Sequence, residues 1–414
     1  MTPKEAAEAR IGRAEERLED TFRAIRATEW ANTRRVLEAF QAARVGEEHF
    51  AGTTGYGHDD LGRECLDTVM ATVLGSEASL VRGSIASGTH AIALALYGAL
   101  APGRELLYIT GHPYDTLEEV IGLRGGGQGS LMEWGVGYRE IDLLPDGQID
   151  LAGCLAAISD KTAVVAIQRS RGYAWRPSQS ISRIEEAIST LRKAHPHLVF
   201  FVDNCYGEFV EDREPTHVGA DLIAGSLIKN PGAGIVPAGG YVAGRADLVH
   251  RAACRLTAPG IGAAGGATLD SLRLMFQGLF LAPHVVAEAV MGGVLAAAVL
   301  EEMGHSVDPA PTDLRTDIIQ AVRLGSAERL VTFCQTVQRT SPIHAHVTPE
   351  PAVVPGYADH VVMAAGTFIE GSTIELSCDG PLRPPYVAYW QGGLSYGHAR
   401  EALVRVCKAL DQLA

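Results

Sequence analysis

The chain has 414 residues, 47% of them hydrophobic and 20% charged, a globular composition long enough for a large domain with a smaller one beside it. A net charge of −14 with no basic block argues against nucleic acid or an anionic membrane surface as a partner. Seven scattered cysteines without a CxxC pair argue against a disulfide framework and a zinc site, so no resident metal is expected.

Residues 3 to 43 read as helix, charged from the start and without the apolar core of a secretory signal, which gives a cytoplasmic expectation. From about residue 79 to 245, short β-rich runs alternate with helical patterns. The strand candidates are "ELLYIT", "YREIDL", "TAVVAIQ", "LVFFVDN", "ADLIAGSL" and "GGYVAG". Between them lie "THAIALALYGAL", "DLAGCLAAIS" and "ISRIEEAISTLRKA". Such alternation predicts an α/β fold, a mainly parallel sheet with helices on both faces. Helical stretches follow Arg245 to about residue 304. The most apolar of them, "VVAEAVMGGVLAAAVLEEMG", is interrupted by Glu288 and is too short and Ala/Gly-rich to span a bilayer, so a buried helix is expected. A smaller α+β part closes the chain, with strands near "DHVVMAAGTF" and "STIELSC" and a final helix "GHAREALVRVCKALDQL". The predicted organisation is an N-terminal helical segment over 1–50, a large domain over 51–304 and a small C-terminal domain over 305–414.

Ligands of parallel α/β sheets gather at the carboxyl ends of the strands. The sequence has five lysines, and four have bland settings: Lys4 in the terminal helix, Lys193 and Lys408 on amphipathic helices, Lys161 before the start of a strand. Lys229 instead ends "ADLIAGSLIK" and is followed by Gly232 and Gly234, which give a backbone room near a ligand. A lysine amine forms a Schiff base with an aldehyde, which an arginine guanidinium does not usefully do. "LVFFVDN" turns polar at Asp203, 26 residues earlier. A buried carboxylate there either caps the next turn or holds a pyridine nitrogen protonated, and paired with Lys229 the second role points to pyridoxal 5′-phosphate (PLP).

A phosphate needs a cradle. "GSIASGTHAIALALYGAL" sets Ser87, Gly88 and Thr89 at a helix start, where free N–H groups meet an anion, although an ordinary serine cap has the same pattern. Ser226, three residues before Lys229, adds a hydroxyl, and Tyr114 in "GHPYDTLEEV" is placed either to stack on a ring or simply to pack. "LRGGGQGS" follows a helix and reads as a surface loop.

Together these stretches resemble the fold-type I PLP-dependent enzymes. More narrowly, they are similar to the aluminium-resistance or methionine gamma-lyase-like proteins, relatives of the cystathionine lyases. The shared motifs, in family order, are "TTGYGHDDLGR", "SGTHAI", "PYDTLEEVIG", "VDNCYGEFVE", "AGSLIKNPGAG", "RLTAPGIG", "QGLFLAP", "AAGTFIEGSTIELSCDGPLRPPY" and "QGG". The resemblance implies Lys229 as the Schiff-base lysine, Asp203 at the pyridine nitrogen, Tyr114 over the ring, and Ser87, Gly88, Thr89 and Ser226 around the phosphate. It also implies a homodimer or homotetramer with sites at the dimer interface, and Tyr56 is the candidate for a tyrosine reaching a partner's phosphate. Arg383 in "DGPLRPPY" is the candidate grip for a substrate carboxylate. Gln168 is a candidate for the cofactor's phenolate oxygen or the substrate, with Arg169 and Arg171 as alternative anion binders. Ile228 stands where better-known relatives carry a small hydroxyl residue, His58 where an aromatic is expected and Ala233 where glycine is expected.

The function expected is a lyase removing a β- or γ-substituent, a thiol or another leaving group such as halide, from an L-amino acid, with γ-elimination favoured. Transamination or racemisation is the alternative on the same cofactor. A non-catalytic PLP-binding or metal-tolerance protein is the alternative from another class.

Overall fold

The computed structural model describes residues 2–413 apart from Pro355, Gly356 and Ala358. The chain begins with two helices where one was expected. α1 (Pro3–Arg17) starts at a capping box of Thr2 and Glu5, and α2 (Glu19–Ala42) follows the single junction residue Leu18. Next come α3 (Leu61–Leu74), α4 (Gly88–Ala99), α5 (Asp115–Ile121), α6 (Leu151–Ala157), α7 (Ile181–Ala194) and α8 (Ala246–Leu256).

Helices α3 to α8 flank a seven-stranded sheet, while α1 and α2 pack on other helices. Its strands are β1 (Ala78–Arg82), β2 (Glu105–Tyr108), β3 (Gly137–Glu140), β4 (Thr162–Gln168), β5 (Val199–Asp203), β6 (Leu222–Ser226) and β7 (Gly240–Gly244). The order is β1-β7-β6-β5-β4-β2-β3. β2 to β6 run parallel, and β7 is antiparallel to both of its neighbours. The apolar runs are continuous because both faces are covered. Phe201, Leu222 and Val242 pack on the side of α4 and α8, while Phe200, Ile223 and Ala243 face the other core. Phe200 and Phe201 are wholly buried on opposite faces, so truncating either to alanine costs roughly 3–5 kcal/mol.

α9 (Leu272–Glu302) is long and apolar enough to cross a membrane by length and composition, yet 78% of its most apolar window is buried within the protein. It packs along α2 and α11 (Tyr396–Asp411) and against the turn after Lys229. The second sheet has the order β10-β11-β12-β9-β8, all antiparallel: β8 (Ser306–Asp308), β9 (Ile319–Arg323), β10 (Val361–Ala365), β11 (Ser377–Pro381) and β12 (Val387–Gln391). α10 (Ala327–Thr340) packs against its β10 and β11 strands.

One strand falls elsewhere than expected. "STIELSC" is not extended until Ser377, and residues 373–376 form a turn and a bend. Local polar bonds outcompete the ladder there. The Glu375 carboxylate accepts from the backbone N–H groups of Phe368 (2.9 Å) and Ile369 (3.1 Å), and Glu375 N donates to Ser372 O at 3.1 Å.

Candidate active site

At the carboxyl end of the large sheet a cavity of about 230 Å³ is lined from β4, β5 and β6, the start of α4 and the turn before β11. β6 carries the lysine to it. After Ser226 the edge persists through Leu227 N, bonded to Gly239 O at 2.9 Å, and the chain then folds into a short turn over Asn230–Gly232. Gly232 is required by that turn: a Cβ would lie 1.7 Å from Leu227 O, so its bareness serves the backbone rather than a ligand. Ala233 takes the left-handed conformation, φ 51°, that makes glycine the natural occupant. Asn230 Nδ2 donates to Glu208 O at 3.0 Å and pins the turn.

Lys229 is thereby aimed into the cavity. Its Nζ donates to Tyr206 Oη at 2.9 Å and to Thr373 Oγ1 at 3.1 Å. Burial works against its charge, but Tyr206, Cys205 and Tyr357 outweigh burial and the proton affinity moves upward.

Asp203 ends β5, in register with Gln168 of β4. It is buried, and its Oδ1 accepts from Cys205 N at 3.1 Å. Burial pushes its carboxyl up to about 6, against the opposing pull of that N–H and of Lys229. A rigid polar cluster stands behind it. Arg169 is fully buried and donates to Asn204 Oδ1 (2.8 Å), Glu214 (3.2 Å) and Glu211 (3.0 Å). Asn204 Nδ2 donates in turn to Tyr241 Oη at 3.2 Å, and Tyr241 to Glu208 at 2.9 Å. Arg169 is therefore a structural ion-pair partner, not an open anion site. Arg171 pairs through Nη1 with Asp308 at 2.8 Å, while its Nε and Nη2 are buried without a partner among the described residues, so it keeps donors for an anion.

At the other end of the cavity Ser87 caps α4, accepting from His90 N at 3.1 Å. The first i→i−4 bond of the helix comes from Ala91, which leaves the N–H groups of Gly88 and Thr89 ahead of the ladder. A Cβ at Gly88 would sit 3.1 Å from Cys205 Sγ and 3.4 Å from Ser226 Cβ. Ser226 Oγ is buried with no hydrogen-bond partner among the described residues. A bare helix start facing an unpaired buried hydroxyl fits a phosphate. Thr89 Oγ1 is shared with Thr116 Oγ1 at 2.8 Å.

Tyr114 lines this cavity and an adjoining outer one of about 350 Å³. Its hydroxyl pairs with that of Tyr357, and its ring meets Tyr173 edge-on at 6.2 Å. Gln168 is largely spent on holding the wall: Oε1 accepts from Tyr114 N and Nε2 donates to Ser170 O, both at 3.0 Å. Arg383 lines only the outer cavity of the two, half-exposed and paired with Asp359 at 2.8 Å. Tyr56 lines neither; it is 83% exposed and stacks on His58 at 5.7 Å.

Tyr206 and Thr373 were not anticipated. Tyr206 lies three residues beyond Asp203, where a search for chemistry along the strand end would have met it. Thr373 was concealed by the strand expected over "STIELSC". Among the described residues no cluster of three His, Cys, Asp or Glu side chains is placed to hold a metal ion.

A lysine at a strand end, a buried carboxylate on the neighbouring strand and an anion cradle at a helix start, on this α/β scaffold, define a fold-type I PLP-dependent enzyme. The sequence matches the methionine gamma-lyase family over residues 7–413, and the chain belongs to that family. It is 55% identical over 383 residues to the uncharacterized protein YnbB of Bacillus subtilis, covering 92% of this chain and 90% of that one. Among solved structures it is similar to a candidate cystathionine beta-lyase involved in aluminium resistance from Listeria monocytogenes, with 49% identity, a TM-score of 0.96 and coverage of 98% and 100% of the two chains. A carbon-sulfur lyase involved in aluminium resistance from Clostridium novyi superposes with a TM-score of 0.94 at 42% identity, covering 99% of this chain and 96% of that one.

Proposed function

We propose that the protein is a carbon–sulfur lyase that releases a thiol from an L-amino acid, by γ-elimination in preference to β-elimination. The convergence of Lys229, Asp203, Ser226 and the start of α4 on one cavity carries this reading. The names of its relatives support the sulfur-containing leaving group and lend nothing to a halide. They divide between the two eliminations, since the family is that of methionine gamma-lyase and the Listeria relative is described as a beta-lyase.

PLP bound in the cavity supplies an aldehyde for amine chemistry and a ring that accepts electrons from the substrate's Cα. The residues of the chain do the rest. Gly88 N, Thr89 N, Ser87 and Ser226 would hold the phosphate dianion. Asp203 would keep the ring nitrogen protonated, its carboxyl being ionised once a cation lies beside it. Lys229 Nζ, on a flexible four-carbon stem, would take the proton from Cα and deliver it elsewhere. Tyr114 would cover the ring, and its phenol is kept un-ionised chiefly by burial. Arg383, once released from Asp359, would hold the substrate carboxylate from the outer cavity, and Gln168 keeps one N–H and one lone pair for cofactor or substrate. Tyr56, exposed on this chain, would complete a partner's phosphate site in a homodimer or homotetramer.

γ-Elimination needs protons removed from Cα and then Cβ, whereas β-elimination needs only the first. Incubation in heavy water with an unreactive straight-chain amino acid reads the difference. Exchange at both carbons supports the γ reading, and exchange at Cα alone replaces it with β-elimination or racemisation.

A further inference from the structure

The amine of Lys229 rests between two hydroxyls that reach it from opposite halves of the molecule. Tyr206 comes from the turn after β5, with its oxygen 2.9 Å from Nζ and its ring centroid 4.3 Å away. Thr373 comes from the turn before β11, with Oγ1 at 3.1 Å. The backbone takes an unusual shape to bring Tyr206 there. Its φ is 71°, in the left-handed region that bulky side chains rarely enter, and Phe209 follows with φ 63°. Between them Gly207 is pressed against the buried arginine, where a Cβ would lie 2.4 Å from Arg169 Cδ. The buried cluster behind Asp203 thus imposes this turn, and backbone strain held by its surroundings concentrates at functional sites.

We infer that Tyr206 and Thr373 form a cradle that keeps the free amine of Lys229 in place through both of its protonation states, Tyr206 acting on the amine directly and Thr373 as a positioning residue. The inference rests on the lyase reading, in which Nζ must be a base, then an ammonium, then a base again. A hydroxyl accepts a hydrogen bond from –NH₃⁺ and donates one to –NH₂, which a carboxylate or a backbone carbonyl does not do. The Tyr206 ring face adds attraction for the ammonium form. Protons balance at Nζ alone: one arrives from a substrate carbon and leaves to another, and both hydroxyls keep their own. Because one hydroxyl sits on each half, the cradle is complete only while the two halves are in contact.

The test begins with apoprotein and no substrate. Trinitrobenzenesulfonate labels unprotonated amines, and peptide mapping gives the rate at Lys229. Tyr206→Phe removes a hydrogen bond that is stronger to the ammonium than to the free amine, so labelling at neutral pH should run roughly five-fold faster. Cys205 and Asp203 on the β5 side, and Tyr357 and Asp379 on the other, also act on the amine and are untouched by this change. In the holoenzyme, Tyr206→Phe and Thr373→Val should lower kcat with little change in KM, while Thr373→Ser regains most of the loss. An unchanged labelling rate overturns the cradle, as does a Thr373→Ser enzyme no better than Thr373→Val. Absence of turnover with every amino acid offered would sink the lyase reading instead, and the labelling comparison distinguishes the two failures.

Discussion

The two cavities that share Tyr114 are built from different materials. The inner one takes its chemistry from strand ends and one helix start, on a covered sheet with the Arg169–Asn204–Glu214 cluster packed behind Asp203. The outer one is walled mainly by loops and by polar side chains already bonded to each other: His112 with Glu118 and Glu140, both at 3.1 Å, and Arg383 with Asp359 at 2.8 Å. Groups set by a rigid frame suit the part of the reaction that is common to every substrate. Pairs that must be exchanged for a ligand suit the part that selects one. Changes to the inner cavity should therefore abolish chemistry, and changes to the outer one should alter affinity.

The sharpest break in that division is at the lysine. Lys229→Ala should lose the covalently held, yellow form of the cofactor and at least ~10³-fold in turnover, since nucleophile and base disappear together. Borohydride should fix the cofactor of the wild type to one peptide, the one containing Lys229. Fixation at Lys161 or Lys193 would remove the inner cavity from the chemistry. Asp203→Asn should still bind the cofactor and lose roughly 10²–10³-fold in kcat, because a neutral amide cannot stabilise a protonated ring nitrogen as a carboxylate does. Unchanged turnover would assign that task to another group.

Asp203 also marks the inner cavity in the apoprotein, with no activity measured. Its carboxyl is pushed up to about 6 and that of Glu208 up to about 8, in both cases mainly by burial. A carboxyl that holds its proton more tightly folded than unfolded lends stability below its ordinary value and loses it as pH rises through the folded one. Apoprotein should thus weaken from about pH 4 to 6 on account of Asp203, and on to about 8 on account of Glu208. Asp203→Asn removes the first step, so its stability relative to wild type should rise by up to about 3 kcal/mol across that interval. Urea melts at several pH values read this, and parallel curves would mean that Asp203 ionises normally. The outer cavity predicts a different signature. Arg383→Ala should raise KM roughly ten-fold or more for amino-acid substrates and leave the cofactor spectrum alone. Loss of cofactor as the main effect would move Arg383 into the inner site.

The same contrast explains what the sequence disclosed. Lys229, Asp203 and Ser226 follow or end apolar strand runs, Ser87 opens an apolar helical one, and the structure draws all four to one cavity. Gln168 and Arg169 were visible at the end of β4, but their partners were not, because Tyr114, Glu211 and Glu214 come from separate segments. Tyr206 was legible by its place three residues beyond Asp203 but not by its left-handed backbone, and Thr373 was masked because β-branched residues in a turn look like a strand until the bonds of Glu375 are known. Leu18 carries no breaker residue, so the join between α1 and α2 was equally silent.

The smallest effect is also the one whose sign is least expected. Ser226 Oγ is buried at the end of β6 without a partner among the described residues, and an unmade hydrogen bond of this kind costs about 1–3 kcal/mol. Apoprotein carrying Ser226→Ala should therefore be as stable as wild type or slightly more stable, since the change removes an unpaired polar atom and little volume. Cofactor binding should move the other way. A hydrogen bond to a charged phosphate is worth roughly 1.5 kcal/mol or more, so the variant should bind PLP about ten-fold more weakly. Thermal melts of the apoprotein and titration of its visible band with cofactor give the two numbers independently. Opposite signs would identify Ser226 as a hydroxyl kept for the ligand at the fold's expense. Destabilisation of the apoprotein together with unchanged cofactor affinity would make it a packing residue, and the phosphate cradle would then rest on the start of α4 alone.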